Sequence, residues 1–221
     1  MSQLVFDIET RGFEDKDLDP VILESLLKHA ATDEEKEGVV ERTGLWPVSG
    51  EIVAIGMLNP ETNLGKVCFS APQGNLKDYE KAGVQYLVKN EKEMLEVFWQ
   101  DVKHYNQLIT FNGRRFDCPF IIFRSIYHGL KPSRNLMPNR FYTKEHLDLM
   151  DQLGFYGSFR NFSLEVMCQF LGIKNPKDEG VSGLVINELY KKGEYQKIAE
   201  YCMRDVVATQ ELHDKVKDFI F

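Results

Sequence analysis

Asp7 and Glu9 stand one residue apart inside L-V-F-D-I-E-T, residues 4–10. The strand period of two places both carboxylates on one face, opposite Leu4, Phe6 and Ile8. Two like charges a pleat apart repel, and neither has an obvious local partner. A divalent cation would relieve the repulsion, because hard ions such as Mg²⁺ take carboxylate oxygens. A half-exposed strand with an acidic outer face gives the same pattern with no metal. A second group, F-N-G-R-R-F-D-C-P, spans residues 111–119. A strand ends there, Asn112-Gly113 turns the chain, and Asp117 opens a helix. Asp ahead of an early Pro is also an ordinary helix cap. In the functional reading the crossover delivers Asp117 to the edge of a sheet, with Arg114 and Arg115 beside it for phosphate. A third group, Y-C-M-R-D, sets Tyr201 and Asp205 four residues apart. Four residues along a helix share a face. Alone, this pair reads first as a chance Tyr/Asp pair on a surface helix.

Positioning these groups requires a framework, and the chain's patterning supplies one. Residues 3–9, 51–58, 64–70 and 107–111 read as strands, with N-P-E-T-N as a hairpin turn between the second and third. Asn90 to Tyr105 reads as a helix with Asn90 and Glu93 as a capping box and Met94, Phe98, Val102 and Tyr105 as its apolar stripe. Asp117 to Tyr127 reads as another helix, as do 163–172, 183–192 and 194–219. Residues 13–45 form an acidic helical insert whose first helix starts at Asp19-Pro20. This order predicts one α/β domain over residues 1–221, with a mixed central β-sheet flanked by α-helices.

The bulk properties narrow the class. No apolar run approaches the roughly 18 residues of a membrane span, and the N-terminus carries no export leader. Cys68, Cys118, Cys168 and Cys202 form no close pair, which points to reduced thiols and a cytoplasmic setting. The net charge of −7 argues at first against nucleic acid. It is unevenly placed, however. Residues 13–45 hold ten acids against four Lys/Arg, whereas residues 111–144 hold seven Lys/Arg against Asp117 alone.

Taken together, acid-x-acid, Asn-Gly-x-x-Phe-Asp and Tyr-x-x-x-Asp resemble the DEDD superfamily of 3′–5′ exonucleases, in the subclass with tyrosine in the third motif. F-D-I-E-T resembles the proofreading domain of family B DNA polymerases, and the chain resembles the stand-alone bacterial exonucleases related to that domain. The resemblance spans residues 4–209 and implies a ribonuclease H-like fold and two divalent ions, Mg²⁺ or Mn²⁺. It implies that Asp7 bridges both ions, Glu9 and Asp205 complete the one holding the attacking water, and Asp117 helps hold the other. Tyr201 would orient the water. The expected partner is the 3′ end of a single strand, DNA ahead of RNA. RNA trimming, or a silent binding module of the same fold, are the rival readings. The acidic insert is a departure that bears on substrate range. Thr10, Asn112, Phe116 and Arg115 are candidate contacts for the terminal nucleotide. Lys131, Arg134, Arg140 and Lys144, with Phe141 and Tyr142 among them, suit a single strand, although such runs also serve only to solubilise. Asp148 reads as a supporting acid or a cap, and Lys174 and Lys177 as surface residues within reach of phosphate.

Overall fold

The computed structural model describes residues 2–175 and 185–220. Lys177 and the first two residues of the helix expected over 183–192 lie outside them.

The alternation of β1 (Gln3–Gly12) decides the two layers of the molecule. Leu4, Phe6 and Ile8 enter an apolar cluster with α3 (Glu91–Val102) and α4 (Asp117–Tyr127). Val5 enters a separate cluster with α8 (Tyr195–Ile220). Between the layers lies a mixed sheet built from β1, β2 (Gly50–Asn59), β3 (Leu64–Phe69), β4 (Tyr79–Lys81), β5 (Val84–Val88), β6 (Gln107–Thr110) and β7 (His146–Asp148). Its spatial order is β4-β5-β3-β2-β1-β6-β7. β2 runs antiparallel to both β1 and β3, while β6 joins β1 in parallel and β7 joins β6 in parallel.

Two of the caps expected from the sequence are in place, while Asp117 begins its helix without capping it, because its carboxylate takes the Ile8 amide. Asp19 accepts from the Val21 amide to open α1 (Pro20–Leu27), and Asn90 and Glu93 form their capping box. α3 stops at Val102, a turn short of Tyr105. The β4–β5 hairpin was not anticipated. It turns on Ala82 and Gly83, with φ of 52° and 77°, and its strands are too short for alternation to declare itself. In the insert, α1 and α2 (Asp33–Glu41) bury no residue. The insert rejoins the sheet where the Thr10 hydroxyl donates to the Gly44 carbonyl at 2.7 Å. α5 (Leu149–Leu153), α6 (Leu164–Leu171) and α7 (Ile186–Lys191) complete the helices described. None of the described helices is long and apolar enough to cross a membrane.

Candidate active site

The parallel ladder between β6 and β1 stops at Val5–Ile109. Beyond it, Asn112 takes a left-handed φ of 65° and turns β6 away. Gly113 fits this turn because a Cβ there would lie 2.5 Å from the Thr110 side chain. The edge of β1 would be left with an open amide at Ile8, and buried amides need an acceptor. Asp117, at the start of α4, provides it: the Ile8 amide donates to Asp117 Oδ1 at 3.0 Å. The residue that opens a helix thus also closes the strand between Asp7 and Glu9. Asp148 holds the turn itself, accepting from the Asn112 and Arg114 amides at 2.9 Å each and capping α5. It is a clamp on the loop that carries Asp117.

α8 approaches the same strand from the other layer. Asp7 faces Gly56 of β2 across the ladder. A Cβ at Gly56 would come within 3.0 Å of Cys202 Sγ and Val206 Cγ2 of α8. The absent side chain lets the helix settle close to the sheet, carrying Tyr201 and Asp205 to the acidic face of β1. Beside them a bulge between Glu9 and Thr10 breaks the β1–β2 register; bulges re-aim side chains near sites.

The charges now meet. Burial, followed by Asp117, Asp205 and Glu9, pushes the Asp7 carboxyl well above the usual range, and Asp117 is a hydrogen-bond partner of Asp7. Burial pushes Asp117 up to about 7, against the lowering effect of its amide donors. Tyr201 is raised by burial, by Glu9 and Asp205, and by its hydrogen bond to Asp205. Its hydroxyl therefore keeps its proton at neutral pH. Ligand atoms of Asp7, Glu9 and Cys202 lie within 4.8 Å of one another. In the sequence nothing but its place next to Tyr201 marks Cys202. Its thiol is fully buried, donates to the Asp7 carbonyl, and is pushed up by burial and the nearby acids. It packs α8 against the sheet. The remaining donors are carboxylate oxygens, a set that suits a hard divalent ion.

The candidate contacts separate into two groups. Arg115 is exposed beside Asp117, and Asn112 sits half-buried at the turn. Phe116 packs on Phe120 with ring centroids 5.6 Å apart, so it is partly core. Thr10 is engaged by the insert. Arg114 is buried, donating to the Pro138 carbonyl and lying against His146. Arg134 donates to the carbonyls of Tyr105, Asn106 and Glu145. Arg140 pairs through two bonds, of 2.8 and 2.5 Å, with Asp151. Arg114, Arg134 and Arg140 thus hold the chain together, because loops without secondary structure leave carbonyls and acids that need donors. Lys131 and Lys144 remain exposed, as does Lys174.

Comparisons with known proteins fit this geometry. Residues 70–219 match the family described as "Predicted 3'-5' exonuclease related to the exonuclease domain of PolB", and the chain belongs to that family. The match contains Asp117, Tyr201 and Asp205, while Asp7 and Glu9 lie ahead of it. DNA polymerase 1 of Sulfolobus acidocaldarius is 30% identical over 149 residues, covering 60% of this chain and 16% of the polymerase. The structure of the family B DNA polymerase from the archaeon Pyrobaculum calidifontis superposes with a TM-score of 0.62 at 14% identity, over 99% of this chain and 25% of that one. The chain thus has the ribonuclease H-like fold and spans about a sixth to a quarter of these relatives' length.

Proposed function

We propose that this chain is a DEDD exonuclease of the tyrosine subclass, removing nucleotides from the 3′ end of single-stranded nucleic acid, with DNA as the favoured substrate. The observation that carries the reading is the meeting of Asp7, Glu9, Asp117 and Asp205 with Tyr201 at one strand, from β1, α4 and α8. The relatives are DNA polymerases, which favours DNA over RNA.

Asp7, Glu9, Asp117 and Asp205 would hold two Mg²⁺ or Mn²⁺ ions. Such ions, when bound, activate water and stabilise the oxygens that gain charge during in-line displacement at phosphorus. The chain's own residues prepare the ground. The Ile8 amide fixes the orientation of Asp117, and the Asp148 clamp fixes the loop behind it. Tyr201, protonated at neutral pH with its hydroxyl bonded to Asp205, can accept from a water through its oxygen and so position it, and is unsuited to act as a base. Asn112 and Arg115, next to Asp117, are placed to meet the terminal nucleotide, Arg115 as a phosphate contact. Lys131 and Lys144 offer positive charge to the incoming strand.

Incubation with end-labelled DNA and RNA, single- and double-stranded, in Mg²⁺, Mn²⁺ or EDTA tests this reading. A ladder shortening from the 3′ end in metal and absent in EDTA is expected. Shortening from the 5′ end, or activity that survives EDTA, overturns it. A ladder on RNA alone would move the substrate to RNA.

A further inference from the structure

α5 leads directly from Asp148 into G-F-Y-G-S-F-R-N-F, residues 154–162, a segment with four aromatic rings and no acid. Apolar rings ordinarily turn inward. Here Phe155 is 57% exposed and Phe159 60%, with Phe141 of the preceding basic run at 69%. The backbone is held in a costly shape to keep them there. Phe155 and Tyr156 take successive left-handed φ values of 48° and 56°, a region bulky residues avoid. Strain of this kind persists where surrounding contacts over-determine it, and it gathers at ligand clamps.

Those contacts are visible. The Gly157 and Phe159 amides both return to the Gly154 carbonyl at 3.0 Å, closing the loop on itself. Gln152 Nε2 donates to the Tyr156 hydroxyl at 2.5 Å. The Phe141 ring lies 4.7 Å from Tyr156, and the Arg140 guanidinium, anchored on Asp151, lies 5.7 Å from the same ring. Tyr156 is thereby the fixed post of the loop, and Phe155 and Phe159 are its outward rings. Arg140 joins this post to Asp151.

We propose that residues 154–162 form a base-stacking platform for the single strand approaching the acidic site. The proposal rests on the nucleic-acid reading above and adds the surface that holds the bases. α5 is five residues long, so the platform begins about 8 Å along the helix axis from Asp148, the residue that clamps the Asn112–Arg114 turn. The platform contains Arg160 and no acid, and it follows the segment with the densest positive charge. Exposed rings beside cations are the features that hold single strands without regard to sequence, since every base has a π face. Preset rings also lose little freedom on binding.

The test uses the full chain with Ca²⁺ and a fluorescent single-stranded thymidine oligonucleotide, read by anisotropy, alongside a matched strand with abasic positions. Phe155→Ala with Phe159→Ala is expected to weaken binding by about 100-fold, roughly tenfold per ring. The slope of affinity against salt should stay unchanged, because no phosphate contact is lost. The abasic strand should bind wild type weakly and the double variant no worse. Phe155→Leu with Phe159→Leu keeps the apolar bulk and removes the π faces, so it should lose much of the same affinity. Wild-type affinity in the Leu pair, or equal losses on intact and abasic strands, overturns the platform. If wild type shortens 3′ ends while the Ala pair binds normally, the platform alone falls. If wild type binds strands and never shortens them in Mn²⁺, the exonuclease reading falls and the platform stands. If wild type binds no strand, both fall.

Discussion

Glu91 and Asp117 are both buried acids that accept a strand amide, yet the fold treats them oppositely. Glu91 takes the Ile52 amide at 2.8 Å, then a two-bond contact from Arg124 at 2.8 and 2.6 Å and a contact from His128 Nε2 at 2.7 Å. Its charge is answered from within the fold. Asp117 takes the Ile8 amide and then faces Asp7, with Glu9 and Asp205 acting on the same group. The charges that act most strongly there are further carboxylates, and the result is a pair of acids held above their usual range. The first arrangement builds structure. The second stores repulsion that a cation from outside would relieve, which is the electrostatic pattern expected of a working site.

Three experiments would break or sharpen that contrast. The largest effect is expected for Asp7→Ala or Asp205→Ala. Loss of a ligand to charge-stabilising ions removes several kcal/mol of transition-state stabilisation, about 10³-fold in single-turnover cleavage, while melting stays at wild-type temperature or rises because repulsion is relieved. A large loss of stability with cleavage intact would reverse the assignment. Glu91→Ala should do the opposite. Arg124, 5% exposed, would be left as an uncompensated buried charge, costing about 3–5 kcal/mol in chemical denaturation, with cleavage by the folded fraction unchanged.

The smallest effect is a pH dependence of the metal-free protein. Asp7 and Asp117 have folded values raised above the unfolded one. The folded state therefore binds more protons than the unfolded state between pH about 4 and about 7. The stability that Asp117 contributes is complete below about pH 4 and is lost as pH rises through about 7, and Asp7 acts in the same direction. Melting in EDTA should fall across that window, Mg²⁺ should restore it at the upper end, and Asp117→Asn should flatten the decline. A flat profile in wild type would show that the acids do not interact as described.

Much of the framework was legible beforehand, and the reasons are local. Asp19 and Asn90 mark helix starts because capping needs only a side chain and the next turn's amides, whereas Asp117 opens its helix without capping it and gives its carboxylate to the Ile8 amide. The two faces of β1 follow from its period of two. The β4–β5 hairpin escaped because three- and five-residue strands show too little alternation. The internal bonds of Arg134 and Arg140 are not legible for a different reason. Their partners, among them the Tyr105 carbonyl and Asp151, are not identifiable from a run of basic residues. Phe155 and Phe159 passed unnoticed because a ring in a sequence gives no sign of facing outward.

By itself, then, the sequence determined the types and order of the acids and their spacing within each motif: Asp7 with Glu9 on one face of a strand, and Tyr201 with Asp205 on one face of a helix. Tertiary structure alone decided that these pairs meet across nearly two hundred residues. That meeting depends on Gly56, whose missing side chain admits α8 to the sheet, and on the early departure of β6, which leaves the Ile8 amide for Asp117. Spacing along a strand or helix is fixed by backbone geometry over a few residues. Which charge ends up beside which is fixed by packing, and packing is settled only when the whole core forms.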